Sequence, residues 1–200
     1  GKIQYYQAAL NLAFSIKYHT PSMPITLFVD SIGLMDKEIG WVRNFVDAVQ
    51  QIDAAHLHTN GKFDPGKLKV NIYGYLPYDH NLYMDVDAIA IKDIKPLMDE
   101  LVAHKSPYLS HTVGYHTIDK GRDFKEMQWA WADDLWEHFK LKKSDRVPAI
   151  NSSMQHIHKC DKTLALYGIA KSLYEDNPMP LTKLRNKWGG SQPDELYMNV

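Results

Sequence analysis

Hydrophobic and polar positions alternate along the chain between a helical period of 3.6 residues and a strand period of two. The helical period predicts helices over residues 5–18, 36–51, 93–104, 124–140 and 161–174, with Asp36 as the cap of the second. Short apolar runs predict strands at 25–30, 81–91, 106–112 and 147–154. Helices interleaved with apolar strands are typical of an α/β fold. We therefore expect a sheet flanked by helices.

Size and charge narrow the class of protein. The chain has 200 residues, of which 44% are hydrophobic, so it can bury a core. The chain has 23 Lys and Arg residues and 24 Asp and Glu residues, so its net charge is −1. This charge argues against a dedicated nucleic-acid-binding protein, because such proteins carry an excess of basic residues. Because no repeat or linker interrupts the pattern, we expect residues 1–200 to form a single domain.

Cysteine content and hydropathy bear on the compartment. A single cysteine, Cys160, forms no internal disulfide and builds no thiolate metal site. The longest apolar run, residues 8–16, is shorter than the roughly 20 residues that span a bilayer. We expect a cytoplasmic protein without a membrane span. The chain opens directly in a helical pattern and stops within another, so we also expect that terminal elements of the domain are missing.

Two carboxylates stand inside the clearest predicted strand. Asp85 and Asp87 are separated only by Val86, and side chains at i and i+2 project from the same face of a strand. Such a pair persists where it is exposed, hydrogen-bonded or neutralised by a cation. Mg²⁺ and Mn²⁺ take one or two carboxylates together with substrate phosphates. A surface strand carrying two solvated aspartates remains the alternative, although the apolar flanks weaken it.

The stretch LPYDHNLYMDVDAIAIKDI, residues 76–94, resembles the metal-binding segment of GT-A glycosyltransferases, most closely family 8. Three further segments resemble that family in the same order along the chain, namely residues 5–15, 149–154 and 191–199. The resemblance implies a GT-A fold, Rossmann-like, with a mixed and mostly parallel sheet. It also implies a metal-dependent glycosyltransferase that uses a nucleotide sugar, with a UDP-sugar and retention of configuration expected.

The resemblance assigns the donor site residue by residue. Asp85 and Asp87 would hold Mn²⁺ or Mg²⁺ at the donor diphosphate, and one of them would also reach the ribose. Tyr5 falls where the family stacks an aromatic ring on the base. Lys67 or Lys69 falls near a basic residue that contacts the donor.

The resemblance also assigns the reaction centre. Asn151 would meet the sugars, and Asp194 matches the aspartate of an Asp-Gln pair in which Glu195 replaces the glutamine. Glu195 would serve as a nucleophile or as an ion-pair stabiliser, although acids at a helix N-terminus are the plainer explanation of this pair. The family's first strand and its third metal ligand, a histidine, would lie outside this sequence, and Ser153 stands where glycine is usual.

Two alternative functions remain open. A nucleotidyltransferase also places a carboxylate pair and a metal on an α/β sheet. A non-catalytic nucleotide-sugar-binding module would keep the fold without turnover. The acceptor is not specified by any motif in the sequence.

Histidines and tryptophans form the remaining groups of interest. Three histidine pairs lie close in sequence, and with no third ligand evident we expect surface or hydrogen-bonding roles rather than metal ligation: His56 with His58, His111 with His116, and His156 with His158. Trp129 and Trp136 have the spacing of a helical core stripe. Trp131 lies off that stripe and is the better candidate for contact with an acceptor.

Overall fold

The computed structural model describes residues 3–116, 130, 132–184 and 197–198. Its α-helices are α1 Ile3–His19, α2 Ile32–Ile39, α3 Pro65–Asn71, α4 Lys95–Ala103, α5 Ala132–His138 and α6 Asp161–Asp176. Its strands are β1 Thr26–Val29, β2 Ala48–Gln51, β3 His58–Thr59, β4 Lys62–Phe63, β5 His80–Met84, β6 Tyr108–His116 and β7 Val147–His158. The fold is mixed α/β, as the sequence predicts.

The contacts divide the chain into two compact units. The first unit comprises Gly1–His56, Pro77–Leu109 and Ser153–His158. The second unit comprises Leu57–Leu76, Ser110–Ser152 and Lys159–Val200. Whether residues 1–200 act as a single domain stays a prediction, and each unit is described separately below.

A short β-α-β element packs against α1 in the first unit. Strands β1 and β2 pair in parallel from Thr26↔Ala48 to Val29↔Gln51, and α2 lies between them in sequence. The hydroxyl of Ser31 caps α2 by accepting the N–H of Leu34 at 3.3 Å. The core comprises one face of α1, the end of β1 and the buried side of α2: Tyr6, Leu10, Ala13, Val29, Met35, Ile39 and Val42. Burial of this apolar surface is the main force that holds the unit together.

The first unit also contains an antiparallel ladder, formed by β5 and the second half of β7. Its register runs from His80↔His158 to Met84↔Met154. The Asn81 side-chain amide fixes the start of β5, because it donates to the carbonyls of Tyr78 at 2.6 Å and Ile157 at 3.3 Å. Strands β5, β7 and β6 lie in that order in one sheet.

Three imidazoles occupy one face of this ladder. His80 and His158 are directly cross-strand, and their rings stack with centroids 4.2 Å apart. His80 Nδ1 lies 3.2 Å from Nε2 of His156, so one nitrogen donates and the other accepts. His156 is only 2% exposed, and its Nδ1 has no hydrogen-bond partner among the described residues. Of the two roles expected for the histidine pairs, surface or hydrogen bonding, His156 has the hydrogen-bonding one.

A tight hairpin begins the second unit. Asn60 and Gly61 link β3 to β4 with φ angles of 52° and 75°. Two consecutive positive φ angles are the geometry of a type I′ turn, for which Asn-Gly is a preferred pair. Asp64 then caps α3, because its Oδ1 accepts the Lys67 N–H at 3.3 Å.

The Asp64 carboxylate is also the centre of a buried polar cluster in the second unit. It is 2% exposed and accepts the Tyr174 hydroxyl at 2.6 Å and the Thr59 hydroxyl at 2.7 Å. These bonds tie the hairpin and α3 to α6. Tyr197 packs edge-on against Tyr174, and burial raises the pKa of Tyr197 to about 12.

Several predicted elements have the expected type and nearly the expected bounds, namely α1, β1, α4, β6, β7 and α6. The predicted helix 36–51 is wrong. In this segment α2 ends at Ile39, a 3₁₀ helix spans Gly40–Asn44, and β2 follows. Ser31, not Asp36, caps α2. The predicted strand 81–91 is too long, because β5 ends at Met84.

Strand pairing also differs from the mostly parallel sheet that the family resemblance implies. Among the described ladders, β1–β2 is parallel, whereas β5–β7 and β3–β4 are antiparallel. Of the tryptophan stripe, Trp136 is described and lies in the core at 3% exposure. Over the described ranges, no helix has both the length and the apolar content needed to cross a membrane.

Acid should destabilise the fold through His156. Burial, followed by the neighbouring imidazoles of His80, His158 and His104, lowers the pKa of His156 below its ordinary 6.5. The unfolded chain therefore binds more protons below that value, and the stability present above about pH 6.5 is lost as pH falls toward the folded pKa. A single such group contributes at most about 1.4 kcal/mol per pH unit.

Urea unfolding at a series of pH values measures this slope. We expect His156→Gln to have a shallower acid slope than the wild type. Equal slopes in the two proteins would contradict the assignment.

Removal of the Asp64 carboxylate should destabilise the second unit. Asp64→Ala loses the α3 cap and leaves the Tyr174 hydroxyl buried without its acceptor, which costs about 2–4 kcal/mol in the free energy of unfolding. Asp99→Ala removes only an exposed pair with Lys95, and should change that free energy by less than about 0.5 kcal/mol. Chemical denaturation followed by circular dichroism compares the two variants.

Candidate functional site

Asp85 is the first residue beyond β5 and is held at two points. Its backbone N–H donates to the Ser153 carbonyl at 2.8 Å, which adds one bond to the β5–β7 ladder. Its Oδ1 accepts the Tyr83 hydroxyl at 2.9 Å. The side chain is half-buried. Asp85 therefore stands at the carboxyl end of a strand with its backbone and its carboxylate both fixed.

Asp87 has a different environment from Asp85. It lies in the turn that follows Asp85, and its side chain is exposed. Neither aspartate lies inside the strand, because β5 ends at Met84, so the predicted strand position of this pair is wrong. The side chain that contacts the Asp85 carboxylate in the described residues is that of Tyr83.

The chain beyond Asp87 is anchored on α1. The Ala90 N–H donates to the Ser15 hydroxyl at 2.9 Å, and Ala90 is 9% exposed, whereas Ile89 and Ile91 on either side are 61% and 80% exposed. Further along, the Thr20 hydroxyl donates to Asp93 at 2.7 Å. The turn that contains Asp87 is thus fixed at both ends, by the ladder before it and by α1 after it.

Asp93 is part of that anchor rather than a candidate ligand. Its carboxylate accepts the Lys95 N–H at 2.9 Å in addition to the Thr20 hydroxyl. These hydrogen bonds hold the pKa of Asp93 below its usual value. The Asp-Ile that follows the acidic pair therefore closes the turn and starts α4.

Tyr5 lies in the first turns of α1 with half of its side chain exposed. An exposed ring has the surface that base stacking requires. The next residue, Tyr6, is buried and donates its hydroxyl to Asp30, the residue directly after β1. Sequence reasoning assigned no role to Asp30, although a carboxylate at the carboxyl end of a parallel strand is a common position for ligand binding.

The second unit distinguishes Lys67 from Lys69. Lys67 donates its Nζ to the His58 carbonyl at 3.2 Å and its N–H to the Asp64 cap, so it helps hold the hairpin to α3. Lys69 instead donates its Nζ to the Ser152 hydroxyl at 2.9 Å. Ser152 is fully buried and adjoins Asn151 in sequence. Lys69 is therefore the better candidate of the two lysines for contact with the donor, because it lies beside the Asn151 segment.

Asn151 is exposed and belongs to β7, where the family resemblance implies a turn. Its backbone carbonyl accepts the Ser110 hydroxyl at 2.8 Å. The strand holds the Asn151 backbone in place and leaves its amide side chain at the surface of the second unit. Asp194 and Glu195 lie outside the described residues, as do Trp129 and Trp131, and so do the side chains of His111 and His116.

A shallow groove of about 240 Å³ lies along α1 in the first unit. It is lined by Asn11, Phe14, Ser15, Tyr18, His19 and Ile89. None of the residues that the sequence assigns to the site lines this groove. We therefore do not count it as part of the candidate site.

The donor set of the acidic pair fits a hard divalent cation. Within the described part of the chain, no group of three or more His, Cys, Asp and Glu side chains is placed to hold a metal ion. Mg²⁺ and Mn²⁺ need only one or two carboxylates, since water and substrate phosphates complete their coordination. Asp85, fixed and half-buried, and Asp87, exposed in the adjoining turn, meet that requirement.

Tyr83 is the residue of this site that sequence reasoning missed. In the sequence Tyr83 belongs to the apolar flank of the acidic pair, yet its hydroxyl contacts Asp85. The signal was present as a Tyr-x-Asp spacing at the end of a strand, where residues two apart share a face.

Comparison with known proteins adds no assignment. Neither the family models nor the curated proteins include a match to this chain. The functional conclusion therefore depends on the geometry of the site and on the motif that the sequence carries.

Proposed function

We propose that this chain carries the metal-dependent donor site of a GT-A glycosyltransferase that transfers a sugar, with retention, from a UDP-sugar to an acceptor. The observation that carries the proposal is the position of Asp85. Its half-buried carboxylate lies directly beyond the carboxyl end of β5, is anchored at its backbone, and is followed by an exposed second carboxylate, Asp87. The proposal includes the GT-A topology and a cytoplasmic location.

The reaction breaks the bond between the anomeric carbon and the diphosphate oxygen, and it forms a bond from that carbon to an acceptor oxygen. The acceptor loses its proton and the nucleoside diphosphate leaves. A bound Mn²⁺ or Mg²⁺ supplies Lewis-acid stabilisation of the charge that develops on the leaving diphosphate. Asp85 and Asp87 are the residues that would hold this cation.

The other candidate residues act on the donor. In the first unit, the exposed ring of Tyr5 would stack on the base. For Lys69 and Asn151, in the second unit, the resemblance implies contacts with the donor and with the sugars. Asp194 and Glu195 remain the candidates for the carboxylate at the oxocarbenium-like centre, with Glu195 as a nucleophile or an ion-pair stabiliser.

Neutralising either aspartate should abolish donor turnover while keeping the fold. In Asp85→Asn the amide oxygen still accepts the Tyr83 hydroxyl, so the ladder keeps its geometry but loses the charge that attracts the cation. We expect at least a 100-fold loss of Mn²⁺-dependent UDP release for Asp85→Asn and for Asp87→Asn, on the order expected for the loss of a metal ligand. Asp99→Asn, an exposed aspartate of α4, is the matched control. Wild-type release by either variant at sub-saturating Mn²⁺ would refute the metal site.

Product analysis separates this proposal from its rivals. Nucleotide sugars are screened for their effect on the melting temperature of the chain, with and without Mn²⁺. UDP-sugars together with Mn²⁺ should raise that temperature most. Chromatography of the products should then show UDP. Pyrophosphate would indicate a nucleotidyltransferase, and a Mn²⁺-dependent melting shift without turnover would indicate a binding module.

A further inference from the structure

Two interactions distinguish Asp85 from Asp87. The Asp85 carboxylate accepts the Tyr83 hydroxyl at 2.9 Å, and the Asp85 N–H extends the β5–β7 ladder to Ser153. Asp87 makes neither kind of contact with any residue in the described ranges, and its side chain faces solvent. One carboxylate of the pair is therefore fixed before a cation arrives, and the other is not.

A phenol that donates to a carboxylate restricts the carboxylate's rotamer and still allows it to bind a cation. A carboxylate offers about four lone-pair sites across its two oxygens, so accepting one hydrogen bond is compatible with metal ligation. Bonds of this kind, from a neighbouring side chain to a ligating carboxylate, orient the ligand before the metal binds.

We propose that Tyr83 is a positioning residue that presets the Asp85 carboxylate for the divalent cation, while Asp87 adjusts to the cation after it binds. This inference rests on the proposed function, because it assumes that Asp85 is a metal ligand. It assigns the phenolic oxygen of Tyr83 a role in cation affinity that is separate from the packing of its ring.

The ladder itself does not need the phenolic oxygen. Strand β5 pairs through its backbone from His80 to Met84, and the ring of Tyr83 remains in Tyr83→Phe. Loss of the hydroxyl should therefore change cation affinity far more than stability. Tyr78→Phe is the matched control, because Tyr78 lies just before β5, is 37% exposed, and its hydroxyl makes no hydrogen bond to the part of the chain described.

Calorimetric titration of Mn²⁺ into the full chain, with UDP present, tests the inference. We expect Tyr83→Phe to bind Mn²⁺ about tenfold more weakly than the wild type, and Tyr78→Phe to bind as the wild type does. The melting temperatures of the two variants without Mn²⁺ should differ by no more than about 4 °C. In UDP-sugar turnover, the loss in Tyr83→Phe should be larger at sub-saturating than at saturating Mn²⁺, a split that a general packing defect would not produce.

The outcomes separate the inference from the function on which it rests. Wild-type Mn²⁺ affinity in Tyr83→Phe would overturn the role of Tyr83 and leave the glycosyltransferase proposal standing. Equal losses in Tyr83→Phe and Tyr78→Phe would also overturn it. Absence of Mn²⁺ binding by the wild type in the presence of UDP would overturn the proposed function itself, together with the inference.

Discussion

The register of β5 against β7 is the constraint on which the candidate site depends. Side chains alternate between the two faces of a ladder, so a slip by one residue would exchange every side chain between them. The observed register places Met84 opposite Met154 and leaves the next N–H, that of Asp85, bonded to Ser153. The Tyr83 hydroxyl, two residues before Asp85 on the same segment, donates to its carboxylate. The position of the carboxylate therefore follows from backbone pairing, not from a flexible loop.

This register has an energetic cost on the face of the ladder opposite to Tyr83. It brings His80, His156 and His158 together and buries His156 with a nitrogen that lacks a partner among the described residues. A buried polar group left unpaired costs about 1–3 kcal/mol. The Asn81 amide bonds and the backbone pairing must offset that cost near neutral pH. Because burial lowers the pKa of His156, its protonation opposes folding, and the strand pair that carries Asp85 is therefore sensitive to acid.

The sequence pattern correctly predicted elements whose apolar face or cap is formed by residues close together in sequence. Helix α1 has a clear apolar face at helical spacing, and α6 begins beside Cys160, where the Cys160 N–H and the Thr163 hydroxyl form the cap. The helix predicted over 36–51 failed because β2 is four residues long and is exposed or half-buried throughout, so its sequence lacks a strand's alternation. The apolar residues 88–91 suggested a longer β5. Ala88 and Ala90 pack on α1, a contact between residues distant in sequence that periodicity cannot show, whereas Ile89 and Ile91 are exposed.

The acidic pair of the candidate site can be found from the sequence, whereas the contacts that hold Asp85 cannot. Two carboxylates one residue apart, after an apolar run, indicate a hard cation from residue chemistry alone. The choice between Lys67 and Lys69 was not predictable, because it depends on which carbonyl or hydroxyl each ammonium reaches across the second unit. Tyr83 was overlooked because a tyrosine in an apolar run suggests packing. Since a carboxylate fixed before binding loses less conformational freedom when the cation arrives, this hydroxyl gives Asp85 a property that its sequence motif does not specify.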